Sequence, residues 1–207
     1  ALPISLVKDG QVKEVMCAYN RFEGDPCCGS DRLLMQILRQ EWGYEGIVVS
    51  DCGGIADFFR DKGHQTHADA ESASAAAVLS GTDLECGSSY KKLVNSVEKG
   101  LINEKDIDVS VKRLLKARFE LGEMDDNQKV SWSRIPYSVV CSAKHDSLSL
   151  DMARKSMTLL LNQNNILPLK RGGQMIAVMG PNANDSVMQW GNYNGTPKHT
   201  ITILDGI

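Results

Sequence analysis

Residues 46 to 50, GIVVS, form a continuous run of strand length, rich in Val and Ile, that ends directly on Asp51. Such a run reads as a strand covered on both faces by helices, the environment of strands in a parallel sheet. The flanking segments fit that environment. Ahead of it, VMCAY reads as another short strand that leads into the polar loop RFEGDP. Between the two, Leu34, Ile37 and Leu38 recur at helical spacing, with Ser30 and Asp31 placed to cap and charge the start of a helix that ends near Gly43. Strand, helix and strand make one βαβ unit. The pattern then repeats through the alanine-rich ADAESASAAAVLSG, a helix able to pack closely, and GTDLECG, a short strand ending beside acidic residues. Helices follow in YKKLVNSVEKG and INEKDIDVSVKRLLKARFELG. In the second of these, Ile107, Val111, Leu114, Leu115 and Phe119 fall on one face and Asn103 is the cap. The fold class is therefore α/β with a parallel sheet.

Periodicity lapses over residues 122–146, which read as a linker between a first region, residues 1–121, and a second, residues 147–207. The second opens on a helix from about Ser147 to Arg154 and continues through MTLLLNQ and NILPLK to QMIAVMGPNAND, a strand that opens into a Gly-Pro turn. At 207 residues and 42% hydrophobic content, the chain has apolar material for a real core in one domain or two modest ones. A net charge of −3 without any dense Lys/Arg cluster argues against a nucleic-acid partner, because phosphate tracking needs clustered cations. No apolar run approaches the ~18 residues of a membrane span. The GPNAN turn lacks the glycine pattern that cradles phosphates. The six cysteines contain no CxxC spacing, so no zinc or other metal site is expected, and mostly buried free thiols are the preferred account of them.

A carboxylate at the C-terminal end of a parallel strand occupies the position where α/β barrels build their active sites. Locally, Asp51 could equally cap the turn that follows. The longer stretch VMCAYNRFEGDPCCGSDRLLMQILRQEWGYEGIVVSDCGG strongly resembles glycoside hydrolase family 3, and so do GTDLECG, LLLNQNNILPL and IAVMGPNA. The SDC form, DLECG and GPNAN followed by GNYNGTP look more like its β-xylosidase branch than its β-glucosidases. The resemblance implies the C-terminal portion of a (β/α)8 barrel, its last three βα units, followed by the start of an α/β sandwich domain. It also implies an interior piece of a larger enzyme that is periplasmic or secreted.

By that resemblance Asp51 is the catalytic nucleophile of a retaining exo-glycosidase acting on β-xylosyl or β-glucosyl ends of an oligosaccharide or aryl glycoside, with no cofactor. Such a carboxylate stabilises an oxocarbenium-like transition state and then bonds to the sugar. Tyr19 would donate a phenolic hydrogen bond that orients it. Met16 would fall near the sugar pocket. Cys52 stands where many relatives carry an indole platform, which leaves the leaving-group subsite open. His64 and His67, in DKGHQTH, resemble a polar loop over the site and either contact substrate or stay solvated. The partner carboxyl group that protonates the leaving oxygen has no match in this chain. Two further expectations follow: exposed strand edges that favour homo-oligomers or other association, and, as the alternative function, a catalytically silent carbohydrate-binding or interaction module.

Overall fold

The computed structural model of the chain describes residues 4–173 and 175–207. These fall into two compact units, one up to Arg134 and one from Ile135 to Ile207.

The first unit runs through a short helix α1 (Ile4–Lys8), strand β1 (Glu14–Cys17), a small hairpin β2 (Arg21–Phe22) and β3 (Asp25–Pro26), a helix over Arg32–Glu41 and strand β4 (Ile47–Ser50). Helices α2 (Ala70–Leu79), α3 (Leu93–Glu98) and α4 (Glu104–Glu120) follow. Strands β1 and β4 pair in parallel, with Val15 opposite Val48 and Cys17 opposite Ser50, so the expected βαβ unit is present. Its helix is wound more widely than the sequence predicts: it is a π-helix, and the Trp42 N–H closes it on the Ile37 carbonyl at 3.0 Å, five residues back. The predicted Ser30 cap is real, its hydroxyl accepting the Leu33 N–H at 3.3 Å.

The third strand expected in GTDLECG contracts to a single parallel bridge between Val49 and Leu84. The cause is Asp83, whose Oδ2 takes the Val48 N–H at 2.9 Å, a bond that a backbone carbonyl would accept in a regular ladder. That carboxylate is fully buried between Arg39 at 2.7 Å and Arg113 at 2.8 Å, and it also accepts the Ser110 hydroxyl at 2.9 Å. It pins the π-helix, β4 and α4 to one point.

The core lies on one face of this small sheet, where Val15, Val48, Leu34, Leu38, Ile55, Phe58, Ala73 and Ala77 pack together. The alanines of α2 keep side chains short at the contact, and Asp69 caps the helix by accepting the Ser72 N–H at 2.8 Å. Two expectations are corrected. Covering of GIVVS is complete on one face only, where Val48 and Ser50 are buried; Ile47 and Val49 on the other face are half-buried, and beside them Met16 of β1 is 57% exposed. The apolar row on α4 is divided as well: Ile107 and Leu114 are half-buried, while Val111, Leu115 and Phe119 face outward. The reason is that α4 turns its Ser110–Arg113 side toward buried Asp83. Asn103 does cap this helix, in a reciprocal arrangement with Asp106.

Cysteine pairing also departs from expectation. Cys17–Cys28 and Cys52–Cys86 are disulfides, leaving Cys27 and Cys141 as the free thiols. Cys52–Cys86 joins the ends of neighbouring parallel segments, and Cys17–Cys28 ties the end of β1 to the turn Cys27–Gly29 that follows the hairpin.

The second unit contains α5 (Ala143–Ser156) and a terminal turn α6 (Ile203–Gly206), the latter capped reciprocally by Thr202 and Asp205. The GPNAN turn is tied to this end of the chain: the Thr202 hydroxyl bonds Asn184 at 2.8 Å, and the Leu204 N–H bonds the Ala183 carbonyl at 3.0 Å. No strand occurs among its described residues. The predicted strand in QMIAVMGPNAND, whose Gln174 lies outside the described residues, is an unpaired segment over 175–179, with Met179 86% exposed.

Candidate active site

Because β1 and β4 run in parallel, their C-terminal ends emerge side by side and carry Tyr19 and Asp51 to one edge of the sheet. The ladder continues one residue further, with the Asp51 N–H on the Cys17 carbonyl at 3.1 Å. Beyond it the chain turns sharply. Gly53 adopts a φ of +78°, a conformation that side chains disfavour, and the Gly54 N–H returns to the Asp51 carbonyl at 2.9 Å. The GG pair is what allows this turn. Asp51 is thereby held half-buried, its Oδ1 accepting the N–H of Cys52 at 2.7 Å.

Tyr19 reaches the same turn. Its hydroxyl donates to the Cys52 carbonyl at 2.5 Å, one residue from the carboxylate. Cys52 is fixed a second time by its disulfide to Cys86, and Gly53 donates to the Cys86 carbonyl at 2.6 Å. The neighbouring strand end is bound in turn, since Cys86 N–H bonds the Ser50 hydroxyl at 3.1 Å. With its sulfur in a disulfide, Cys52 has no thiol for nucleophilic work.

His64 sits at this edge through both ring nitrogens, Nδ1 with Arg21 Nε at 3.1 Å and Nε2 with the Tyr19 carbonyl at 2.7 Å. His67 belongs to the core side of the same loop. Its ring lies 5.4 Å from that of Phe58, and burial holds its imidazole below the ordinary histidine value against the pull of Asp25 and Asp69. Met16 is on the open face of β1, in register with Val49. The structure thus gathers Tyr19, Asp51, Cys52 and His64 into one bonded group, with Met16 three residues upstream on the exposed sheet face.

Sequence reasoning missed Arg21, Ser50 and Cys86. A signal existed for Cys86: it follows Leu84 by two residues as Cys52 follows Ser50, and Ser50 and Leu84 are bonded at 2.8 Å across adjacent strands. Equal offsets past neighbouring strand ends bring two cysteines together. No such pattern announces Arg21.

Two other features lie elsewhere. A cavity of about 420 Å³, lined by Trp42, Tyr44, Lys13 and Lys116 among others, is at the opposite, N-terminal ends of the strands. Among the described residues no group of His, Cys, Asp and Glu could hold a metal ion, and no helix is long and apolar enough to cross a membrane.

Comparison with known proteins matches residues 4–117 to the glycosyl hydrolase family 3 N terminal domain and residues 157–207 to the glycosyl hydrolase family 3 C-terminal domain. The chain is 56% identical over 205 residues to a xylan 1,4-beta-xylosidase of Xylanibacter ruminicola, covering 98% of this chain and 24% of that protein. It is 37% identical to a probable exo-1,4-beta-xylosidase of Aspergillus terreus, covering 95% and 26%. It therefore spans about a quarter of the length of these curated relatives. Among solved structures, the GH3 exo-beta-xylosidase XlnD, in complex with a xylobiose aziridine activity-based probe, superposes with a TM-score of 0.82 at 30% identity, covering 96% of this chain and 26% of that one. A beta-glucosidase from Listeria innocua in complex with gluconolactone gives a TM-score of 0.80 at 26% identity, with 99% and 28% covered.

Proposed function

The chain belongs to glycosyl hydrolase family 3, and from that premise we propose that it carries the nucleophile of a retaining exo-acting β-glycosidase that removes non-reducing-end β-xylosyl or β-glucosyl residues. The observation that carries this reading is the placement of Asp51, a half-buried carboxylate at the C-terminal end of a parallel strand, tied at Oδ1 by the Cys52 N–H. Asp51 attacks the anomeric carbon, and the bond from that carbon to the leaving oxygen breaks as the charge develops. The leaving oxygen takes its proton from a carboxyl group outside this chain. Water then cleaves the glycosyl ester and restores the carboxylate.

Tyr19 acts by holding the Cys52 carbonyl, and the N–H of that same residue fixes Asp51. Met16 and the Cys52–Cys86 bridge border the sugar site. The similarity to xylosidases at the highest identity reported above favours a xylosyl substrate over a glucosyl one. On the same reading, residues 1–121 are the last three βα units of a (β/α)8 barrel and the region from 147 begins an α/β sandwich domain, with 122–146 as the linker.

The test is trapping. The whole enzyme carrying this chain is incubated with an aryl 2-deoxy-2-fluoro-β-xyloside bearing a good leaving group, and its intact mass is measured. A one-glycosyl adduct on the parent, mapped to Asp51 and absent from Asp51→Asn, is expected. An adduct on another carboxylate would overturn the assignment.

A further inference from the structure

Four hydrogen bonds close a ring around the Asp51 turn. Tyr19 donates its hydroxyl to Cys52 at 2.5 Å; one residue on, the Gly53 carbonyl accepts the Asp57 N–H at 3.3 Å; the Asp57 carbonyl accepts the His64 N–H at 2.6 Å; and His64 Nε2 meets the Tyr19 carbonyl at 2.7 Å. His64 is the only side chain in this ring besides Tyr19, and it returns the 55–67 loop to the strand that carries Tyr19. Its tautomer is fixed by Arg21. A guanidinium only donates, so Nδ1 accepts from Arg21 Nε at 3.1 Å and the ring proton resides on Nε2, where it donates to Tyr19. Arg21 also donates through Nη2 to the His64 carbonyl, gripping the residue at two points.

From this ring we infer that His64, oriented by Arg21, is a positioning residue for the nucleophile: it holds the Tyr19 main chain, and through the Tyr19 hydroxyl the carbonyl of Cys52, the residue whose N–H fixes Asp51. Both ring nitrogens are engaged within the protein, so His64 does not serve the sugar directly. This refines the sequence expectation of a substrate-contacting His64, and it rests on the glycosidase reading above. A small misplacement of a reacting group is costly to the chemical step and leaves ground-state binding nearly intact.

Three variants of the whole enzyme separate the possibilities. In His64→Ala, kcat on an activated aryl β-xyloside falls about tenfold to a hundredfold with KM little changed. Glutamine places a donor amide near the former Nε2 and asparagine places an acceptor near the former Nδ1. His64→Gln therefore recovers most of kcat and His64→Asn does not. A raised KM with unchanged kcat in His64→Ala would instead assign it to substrate binding and overturn the proposal, as would wild-type kinetics in His64→Ala or rescue by Asn alone. Should the parent hydrolyse no glycoside, the glycosidase reading fails by itself. Hydrogen exchange then decides the positioning claim, with faster exchange of the Cys52–Gly54 amides in His64→Ala supporting it and unchanged exchange overturning it.

Discussion

Cys52, one residue past Asp51, is joined to Cys86, two residues past Leu84 of the Val49–Leu84 bridge, so a covalent bond holds together the two strand ends that frame the carboxylate. Closing a loop of this sequence separation, 34 residues, stabilises a protein by on the order of 3–4 kcal/mol in the chain-entropy account. The Cys17–Cys28 bridge closes a shorter loop, the one that carries Tyr19 and Arg21. Replacing each pair by serines should lower the thermal midpoint in both cases, and the Cys52/Cys86 double variant should lose more of kcat. Equal kcat losses in the two double variants would show that the bridge beside Asp51 has no particular hold on it.

Asp83 is the second point on which the fold depends. Its side chain is 0% exposed and faces Arg39, itself only 7% exposed, as well as Arg113. Asp83→Asn leaves two guanidinium groups facing one another with no counter-charge, and removal of one partner from a buried ion pair costs about 3–5 kcal/mol. Urea unfolding should register that loss. The exposed Asp151–Lys155 pair provides the contrast, because Asp151→Asn should change stability by less than about 1 kcal/mol.

The residues whose roles were legible in the sequence are those governed by local physics. The apolar run GIVVS is a strand whose Val48 packs in the core, Asn103 opens α4 in a reciprocal arrangement with Asp106, and Gly53 supplies the positive φ of the turn two residues past the carboxylate. What was not legible depends on contacts distant along the chain. Arg21 and His64 are 43 residues apart and belong to no periodic pattern. The outward row of Val111, Leu115 and Phe119 follows from the pull of buried Asp83 on Ser110 and Arg113, which helical spacing alone does not encode. The IAVM segment has strand composition, yet a strand forms only when another strand bonds to it, and none does so among the described residues of the second unit.

His67 gives the loop above the site a pH dependence of known sign. Burial favours the neutral ring in the folded protein, so the unfolded chain takes up its proton at a higher pH than the folded one. The loop's contribution is complete above the ordinary histidine value of 6.5 and is lost as pH falls through the lower folded value. His67→Phe keeps a ring against Phe58 and removes the titration. The thermal midpoint of the parent should therefore drop relative to this variant between about pH 7.5 and about pH 5. A midpoint difference independent of pH would assign His67 no linked proton.

The chemistry assigned to Asp51 can be tested by replacing the nucleophile itself. Asp51→Gly removes the carboxylate and opens space beside the anomeric carbon, and glycine is tolerated at a turn already built on Gly53 and Gly54. With an activated aryl β-xyloside, whose leaving group departs with little protonation, the variant should be slower than the parent by several orders of magnitude. Added azide should restore part of that rate by attacking from the face that Asp51 occupies. Its lone pair forms the new bond to the anomeric carbon as the aryl oxide leaves, so the product is an α-glycosyl azide, inverted relative to the substrate. A β-configured azide, or restoration of the rate with no azide in the product, would place the nucleophile elsewhere. The α-product would mean that a small anion had taken the place of the carboxylate at the end of β4, the stereochemical signature of a displacement that Asp51 normally performs by covalent bond formation.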